Sequence, residues 1–221
     1  MPFFSSPLII GASGGIGAAV AERLPGAVRL SRRDDALDIT DEASVRAAAA
    51  RLNGASFDLI FVATGVLESE GARPEKSFAE LSPEAMARVF AANAIGPALV
   101  FKYFAGLLPL KERGVIAFLS ARVGSIGDNR LGGWMSYRAS QAALNQIVRC
   151  AGAELKRTRP EAVALALHPG TIDTALTRKF AGGRFTAAPA ECADNLLRVC
   201  ATATPDMSGG FFAYDGAAIE W

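Results

Sequence analysis

The sequence is poor in the residues that build metal centres and disulfide frameworks. It has one histidine, His168, and three cysteines, Cys150, Cys192 and Cys200, in 221 residues. The cysteines have no paired spacing, so neither a zinc site nor a disulfide scaffold is expected, and reduced thiols in a cytoplasmic protein are the default. An excess of one charge is also missing, because 23 Lys and Arg face 22 Asp and Glu for a formal charge of +1. Such a chain has no global attraction for nucleic acid or anionic lipid, and neither is expected as a partner. The first residues lack the basic start of a targeting segment, so none is expected. The longest apolar stretch, residues 89–110, is interrupted by Asn93, Gly96, Pro97 and Lys102. It reads as a long buried helix rather than a membrane span. With 51% hydrophobic and 20% charged residues, the composition excludes a largely disordered chain.

What is present is an alternation of apolar runs and helical patterns. Strands are expected at 8–10, 27–30, 57–62, 114–119, 163–167 and 209–214. Helices are expected at 16–24, 41–52, 82–108, 137–156 and 189–201. Thr40 is the candidate N-cap of the second helix. Ser82 followed by Pro83 has the pattern of an N-cap with proline just inside the helix. The order predicts an α/β chain forming a single domain over residues 1–221. Its architecture is a Rossmann-type doubly wound parallel sheet with helices on both faces. Ligand is then expected beyond the carboxyl ends of the strands, where the unusual sequences fall.

The first such end reads Gly11-Ala12-Ser13-Gly14-Gly15-Ile16-Gly17. Residues without a Cβ let backbone N–H groups approach a pyrophosphate, and the helix that follows offers its positive N-terminus. The second end reads Ser31-Arg32-Arg33, where an NAD-selective fold would place an acidic side chain on the ribose hydroxyls. A guanidinium there suits a 2′-phosphate, so NADP is favoured over NAD, although Asp34 and Asp35 follow closely.

With these motifs in order, the chain resembles the short-chain dehydrogenase/reductase family and is most similar to its C-factor-like branch. Gly11, Gly15 and Gly17 match the family's glycine loop, with Ile10 in place of its usual Thr. Asp38-Ile39-Thr40 resembles the segment that contacts adenine, and Ala63-Thr64-Gly65 falls where the family has NNAG. Asn93 matches its structural and catalytic Asn. Pro169-Gly170-Thr171-Ile172-Asp173-Thr174 matches the motif that closes over the nicotinamide. The resemblance also implies a homodimer or homotetramer built through the two long helices, and a substrate lid around Arg178 to Arg184.

The family's Ser, Tyr and Lys are only partly present. Tyr137 stands in place, but Gln141 occupies the position four residues on where the family has Lys. Both lie on one helical face. Gln141 can donate hydrogen bonds to ribose hydroxyls yet carries no charge to stabilise a phenolate. The position of the catalytic serine aligns with Ala121, leaving Ser120 or Ser125 as substitutes. A phenol of ordinary pKa still donates a proton to a carbonyl, so reduction is expected to outpace oxidation. His168 reads as a positioned loop residue. Trp134 and Met135 fit a substrate pocket or plain packing equally, and Phe3, Phe4, Phe211, Phe212 and Trp221 read as core or interface.

Two functions stand side by side. One is an NADP-dependent oxidoreductase reducing a small or medium carbonyl compound or oxidising its alcohol. Its catalytic positions would be Tyr137, Ser120, Asn93 and Gln141. Its cofactor contacts would come from Gly11, Ser13, Gly14, Gly15, Ile16, Gly17, Ser31, Arg32, Asp38, Ile39, Ala63, Thr64, Gly65, Asn93, Tyr137, Gln141, Pro169, Gly170, Ile172 and Thr174. The other is a catalytically weak or inactive NAD(P)-binding sensor or signalling module.

Overall fold

The computed structural model describes residues 4–69 and 73–221; Phe3 lies outside them. Six parallel strands form one sheet in the order β2-β1-β3-β4-β5-β6. They are β1 (Pro7–Ile10), β2 (Val28–Leu30), β3 (Leu59–Val62), β4 (Gly114–Leu119), β5 (Ala162–His168) and β6 (Gly210–Ala213). The central strands are buried on both faces, which is why they read as unbroken apolar runs rather than alternating ones.

Period-two alternation divides the strand side chains between two cores. On one face Leu8, Ile10, Ile60, Val62, Ile116 and Phe118 pack against α3 (Glu42–Arg51), α5 (Gly96–Phe104) and α6 (Met135–Thr158). On the other, Ile9, Phe61, Ala117, Leu165 and Leu167 pack against α1 (Gly15–Arg23) and α7 (Pro189–Thr202). The chain is therefore a three-layer sandwich of helices, sheet and helices, as the alternation predicts.

Local differences have local causes. Asp41, not Thr40, caps α3 by accepting from the Ala43 N–H, because Thr40 donates its own hydroxyl to Asp38 at 2.7 Å. The expected helix over 82–108 is one rod with a defect. It runs through α4 (Pro83–Phe90) and a π turn at Ala91–Ile95 into α5. Ser82 caps α4 as expected. The rod is apolar and long enough to cross a bilayer by length alone, but Val89, Val100 and Phe104 are buried in the domain. A short helix not anticipated from sequence, α2 (Arg32–Asp35), follows β2 and is capped by Ser31.

The strand order reverses between β1 and β3. The chain leaves β1 toward one edge of the sheet and β3 toward the other, which opens a crevice at their carboxyl ends.

Candidate functional site

The glycine loop lies in that crevice between β1 and α1. Gly11 has φ +87°, and a Cβ there would stand 2.7 Å from the Ala63 carbonyl oxygen. Gly17 supports the turn from below, where a Cβ would clash with the Gly11 oxygen. These two glycines let the loop fold tightly onto β3. Gly15 faces the other way, and a Cβ on it would strike Thr174 at 2.6 Å. The start of α1 therefore sits directly against the segment after β5, with its N-terminal amides at the cavity wall.

A cavity of about 540 Å³ opens here. Its floor is Gly14, Gly15 and Ile16, with Ala63, Thr64 and Gly65 from the end of β3. Pro169, Gly170, Ile172 and Thr174 form the opposite wall. Ser120 and Ala121 at the end of β4, with Tyr137 and Gln141 from α6, close the third side. Gly11, Ser13, Gly17, Ser31, Arg32, Asp38, Ile39 and Asn93 lie off this cavity, four of them along the adjoining ends of β1 and β2.

The end of β2 resolves a question the sequence leaves open. Asp34 and Asp35 are both taken up by Ser31: the Ser31 hydroxyl donates to Asp34 at 2.9 Å and its N–H to Asp35 at 2.8 Å. Arg33 pairs with Asp34 at 3.0 Å. Arg32 is exposed and makes no ion pair among the described residues. Both carboxylates are engaged locally, and Arg32 is the cation there without an ion pair among the described residues.

Tyr137 sits on the first turn of α6, where its ring meets Trp134 edge-on at 6.3 Å. Burial alone acts on its phenol and pushes the pKa from 10.0 up to about 12. No cation opposes that shift, as expected with Gln141 in place of a lysine. Gln141 is buried, and its Oε1 has no hydrogen-bond partner. Thr64 Oγ1, on the cavity floor, is likewise buried and has no partner among the described residues. Two orphaned oxygens in one cavity are costly unless a bound polar group meets them. Together with the glycine cradle, they fit a dinucleotide whose ribose and phosphate groups supply donors and acceptors.

Ser120 reaches the wall, but its hydroxyl donates to Asn145 Oδ1 at 2.6 Å. Ser125 lies elsewhere, buried with its oxygen accepting from the Asp128 N–H, and does not line the cavity. Asn93 occupies the π turn. Its Oδ1 accepts from the Val66 N–H at 2.7 Å, and its Nδ2 donates to the Val66 carbonyl at 2.8 Å and to Ser140 Oγ at 3.1 Å. Ser140 in turn donates to the Tyr137 carbonyl at 2.8 Å. Asn93 thus ties the loop after β3 to the helical turn that carries Tyr137. The π turn places this side chain inward without ending the rod.

His168 is the last residue of β5 rather than a loop residue, lines the cavity, and accepts the Arg122 N–H on Nδ1 at 3.2 Å. Burial, aided by the Arg122 charge, lowers its pKa to about 4. Trp134 lines the cavity whereas Met135 lies outside it. Phe4 and Phe211 are core, and Trp221 stacks on Phe211 at 5.9 Å while remaining part-exposed.

Several contributors carry no sequence signal. Glu75 is buried and accepts both the Ser136 hydroxyl and N–H, bracing the start of α6 from 61 residues away. Phe180 and Arg184 reach the cavity from the segment after β5, and Val66 and Leu67 from the loop after β3. Asn145 was accessible to the helical rule, since it lies four residues after Gln141 on the same face.

Comparison with known proteins gives a consistent picture. A model of the short chain dehydrogenase family matches residues 35–183. A 1-hydroxy-2-glutathionyl-2-methyl-3-butene dehydrogenase of Rhodococcus sp. (strain AD45) is 32% identical over 188 residues, covering 84% of this chain and 78% of that protein. The C-signal protein of Myxococcus xanthus is 37% identical over 141 residues, covering 62% of this chain and 78% of its own. Among solved structures, a short-chain dehydrogenase/reductase from Burkholderia multivorans with bound NADP superposes with a TM-score of 0.83 at 27% identity, over 99% of this chain and 100% of that one. The NADPH-bound carbonyl reductase from chicken fatty liver gives 0.79 at 25% identity, over 98% and 94%.

Proposed function

The chain belongs to the short-chain dehydrogenase family of oxidoreductases, and on that premise we propose that it is an NADP-dependent reductase of small or medium carbonyl compounds with an altered proton-donor site. The observation that carries this reading is one cavity joining the N-terminus of α1, Thr174, Tyr137 and the unpartnered Gln141 amide. Relatives that hold NADP or NADPH support the cofactor assignment. So does Arg32, the unpaired cation at the end of β2.

In this reading Gly14, Gly15 and Ile16 hold the pyrophosphate by backbone N–H groups and the dipole of α1. Arg32 reads the 2′-phosphate, and Ser31, Asp38 and Ile39 border the adenosine end. Gln141 and Thr64 meet ribose hydroxyls, while Ile172 and Thr174 flank the nicotinamide. When bound, the reduced nicotinamide supplies a hydride to the substrate carbon. Tyr137 donates the matching proton to the carbonyl oxygen. Its high pKa keeps it protonated through the neutral range but makes it a weaker acid. Ser120 would have to give up Asn145 to hydrogen-bond the substrate oxygen. Asn93 acts as a positioning residue for Tyr137 and the loop after β3.

A second reading, a cofactor-binding sensor or signalling module with little turnover, draws on the same raised phenol and on Ala121 at the usual serine position. For either reading we place the chain in the cytoplasm, in keeping with its free cysteines. We also place it in a homodimer or homotetramer through α4, α5 and α6, in keeping with exposed Phe78 and Ile126 beside them. NADPH consumption over a panel of aldehydes, ketones and diketones tests the choice, with Tyr137→Phe as control. Turnover lost in the variant upholds the reductase. NADPH binding without turnover on any carbonyl upholds the module.

A further inference from the structure

The cavity wall carries two arginines, Arg122 and Arg184, and no aspartate or glutamate among the described residues. Arg122 is partly neutralised by Asp128 at 3.3 Å. The segment after β5 holds three cations, and two are already paired. Arg178 is held by Asp173 at 2.8 Å and Lys179 by Glu68 at 2.7 Å. The third, Arg184, makes no ion pair among the described residues, and it is the one that reaches the cavity.

Arg184 is exposed, and the cavity lining it joins includes apolar and aromatic side chains. Trp134 and Phe180 meet edge to face at 5.8 Å, with Leu67, Val123 and Leu176 nearby. A largely apolar lining with a cation on it suits an amphiphilic ligand, whose hydrophobic body packs beside the cofactor while the charge fixes its orientation. A neutral carbonyl compound offers a guanidinium a single acceptor and no charge, whereas a carboxylate matches it in charge and in its two-pronged geometry.

We propose that this cavity takes a carbonyl substrate carrying a carboxylate on an aromatic or similarly bulky apolar body, and that Arg184 is the residue that reads the carboxylate. The identity of the reacting group rests on the reductase reading; the carboxylate site does not. Gly182 and Gly183, at φ +56° and +76°, directly precede Arg184, which lines the cavity. The bulky body lies against the Trp134–Phe180 pair, with the carbonyl end directed to Tyr137.

The test separates binding from turnover. Unreactive 4-methylbenzoate and its methyl ester are titrated into the NADP-loaded protein, following tryptophan fluorescence; NADPH consumption is measured with 4-carboxybenzaldehyde and methyl 4-formylbenzoate. The acid is expected to bind about fivefold to tenfold more tightly than the ester. Arg184→Gln should erase that preference, Arg184→Lys should keep part of it, and Arg178→Gln should leave it intact. Equal binding of acid and ester by the unaltered protein overturns the proposal. So does a preference that survives Arg184→Gln, and so does an Arg184→Gln protein that loses only NADPH affinity, which would assign the charge to the cofactor phosphates. An acid preference without turnover of either aldehyde upholds the carboxylate site and counts against the reductase reading alone.

Discussion

Replacing Gln141 by lysine offers the sharpest test of how this site handles protons. Gln141 is buried, lies one helical turn after Tyr137, and leaves its Oε1 without a partner on the cavity wall. The substitution puts an ammonium where no cation now acts on the phenol. Desolvation alone holds Tyr137 near 12, and a cation at such range lowers a phenol by about 1–3 units. Taking 2 units, the ionised fraction at pH 8 rises from about one in ten thousand to about one in a hundred. Alcohol oxidation needs the phenolate as base: its population rises about 100-fold while its basicity falls, a net gain of about tenfold at a Brønsted slope near one half. Carbonyl reduction needs the phenol as acid and gains about tenfold through acid strength at the same slope. The signature is a gain shared by both directions, as a fixed overall equilibrium requires, together with a pH profile that bends about 2 units lower. Initial rates in both directions between pH 7 and 11, with a tyrosinate absorbance titration of the free protein, measure it. A gain with no downward shift of the pH profile would mean that the lysine acts only as a ribose anchor. An unmoved tyrosinate transition would mean that the ammonium is neutralised by its own burial, and the electrostatic argument would fail.

Other outcomes follow from individual contacts. On the proposal that Arg32 reads the 2′-phosphate, Arg32→Ala should weaken NADPH binding by about 10- to 100-fold while leaving NADH unchanged; equal weakening of both in a fluorescence titration refutes the assignment. Asn93→Ala strips hydrogen bonds from both backbone groups of Val66 and from Ser140, and should lower stability by about 2–3 kcal/mol in urea unfolding. Its residual activity should fall further than the fraction folded, because the turn bearing Tyr137 loses its tie. His168 has a folded pKa of about 4 against 6.5 when free, so its contribution is complete above pH 6.5 and is lost as pH falls toward 4. The loss amounts to up to about 3 kcal/mol, and His168→Asn should flatten that part of the stability profile.

Much of this molecule was legible in its sequence, for a physical reason that differs from motif to motif. Apolar runs buried on both faces of a parallel sheet announce β3, β4 and β5. Ser82-Pro83 marks a helix start because a hydroxyl cap and a proline suit the same unpaired amides. Gly11 and Gly17 are required by a turn that passes within contact distance of the Ala63 carbonyl and of itself. The pairing of Tyr137 with Gln141 follows from helical spacing alone. These are local matters, settled by the conformational preferences of a few neighbouring residues.

Tertiary structure decided which polar groups are spent and which remain available. The chain order places Asp34 and Asp35 beside Arg32, but only packing shows both carboxylates committed to Ser31. Ser120 stands next to the expected serine position, yet its hydroxyl is directed to Asn145, 25 residues away on α6. Glu75 bracing Ser136, and Arg184 left without an ion pair among the described residues while Arg178 and Lys179 find carboxylates, depend on where distant segments come to rest. Local sequence sets backbone geometry because its interactions span a few residues. The availability of a side chain is set by partners that only the folded chain brings within hydrogen-bonding distance.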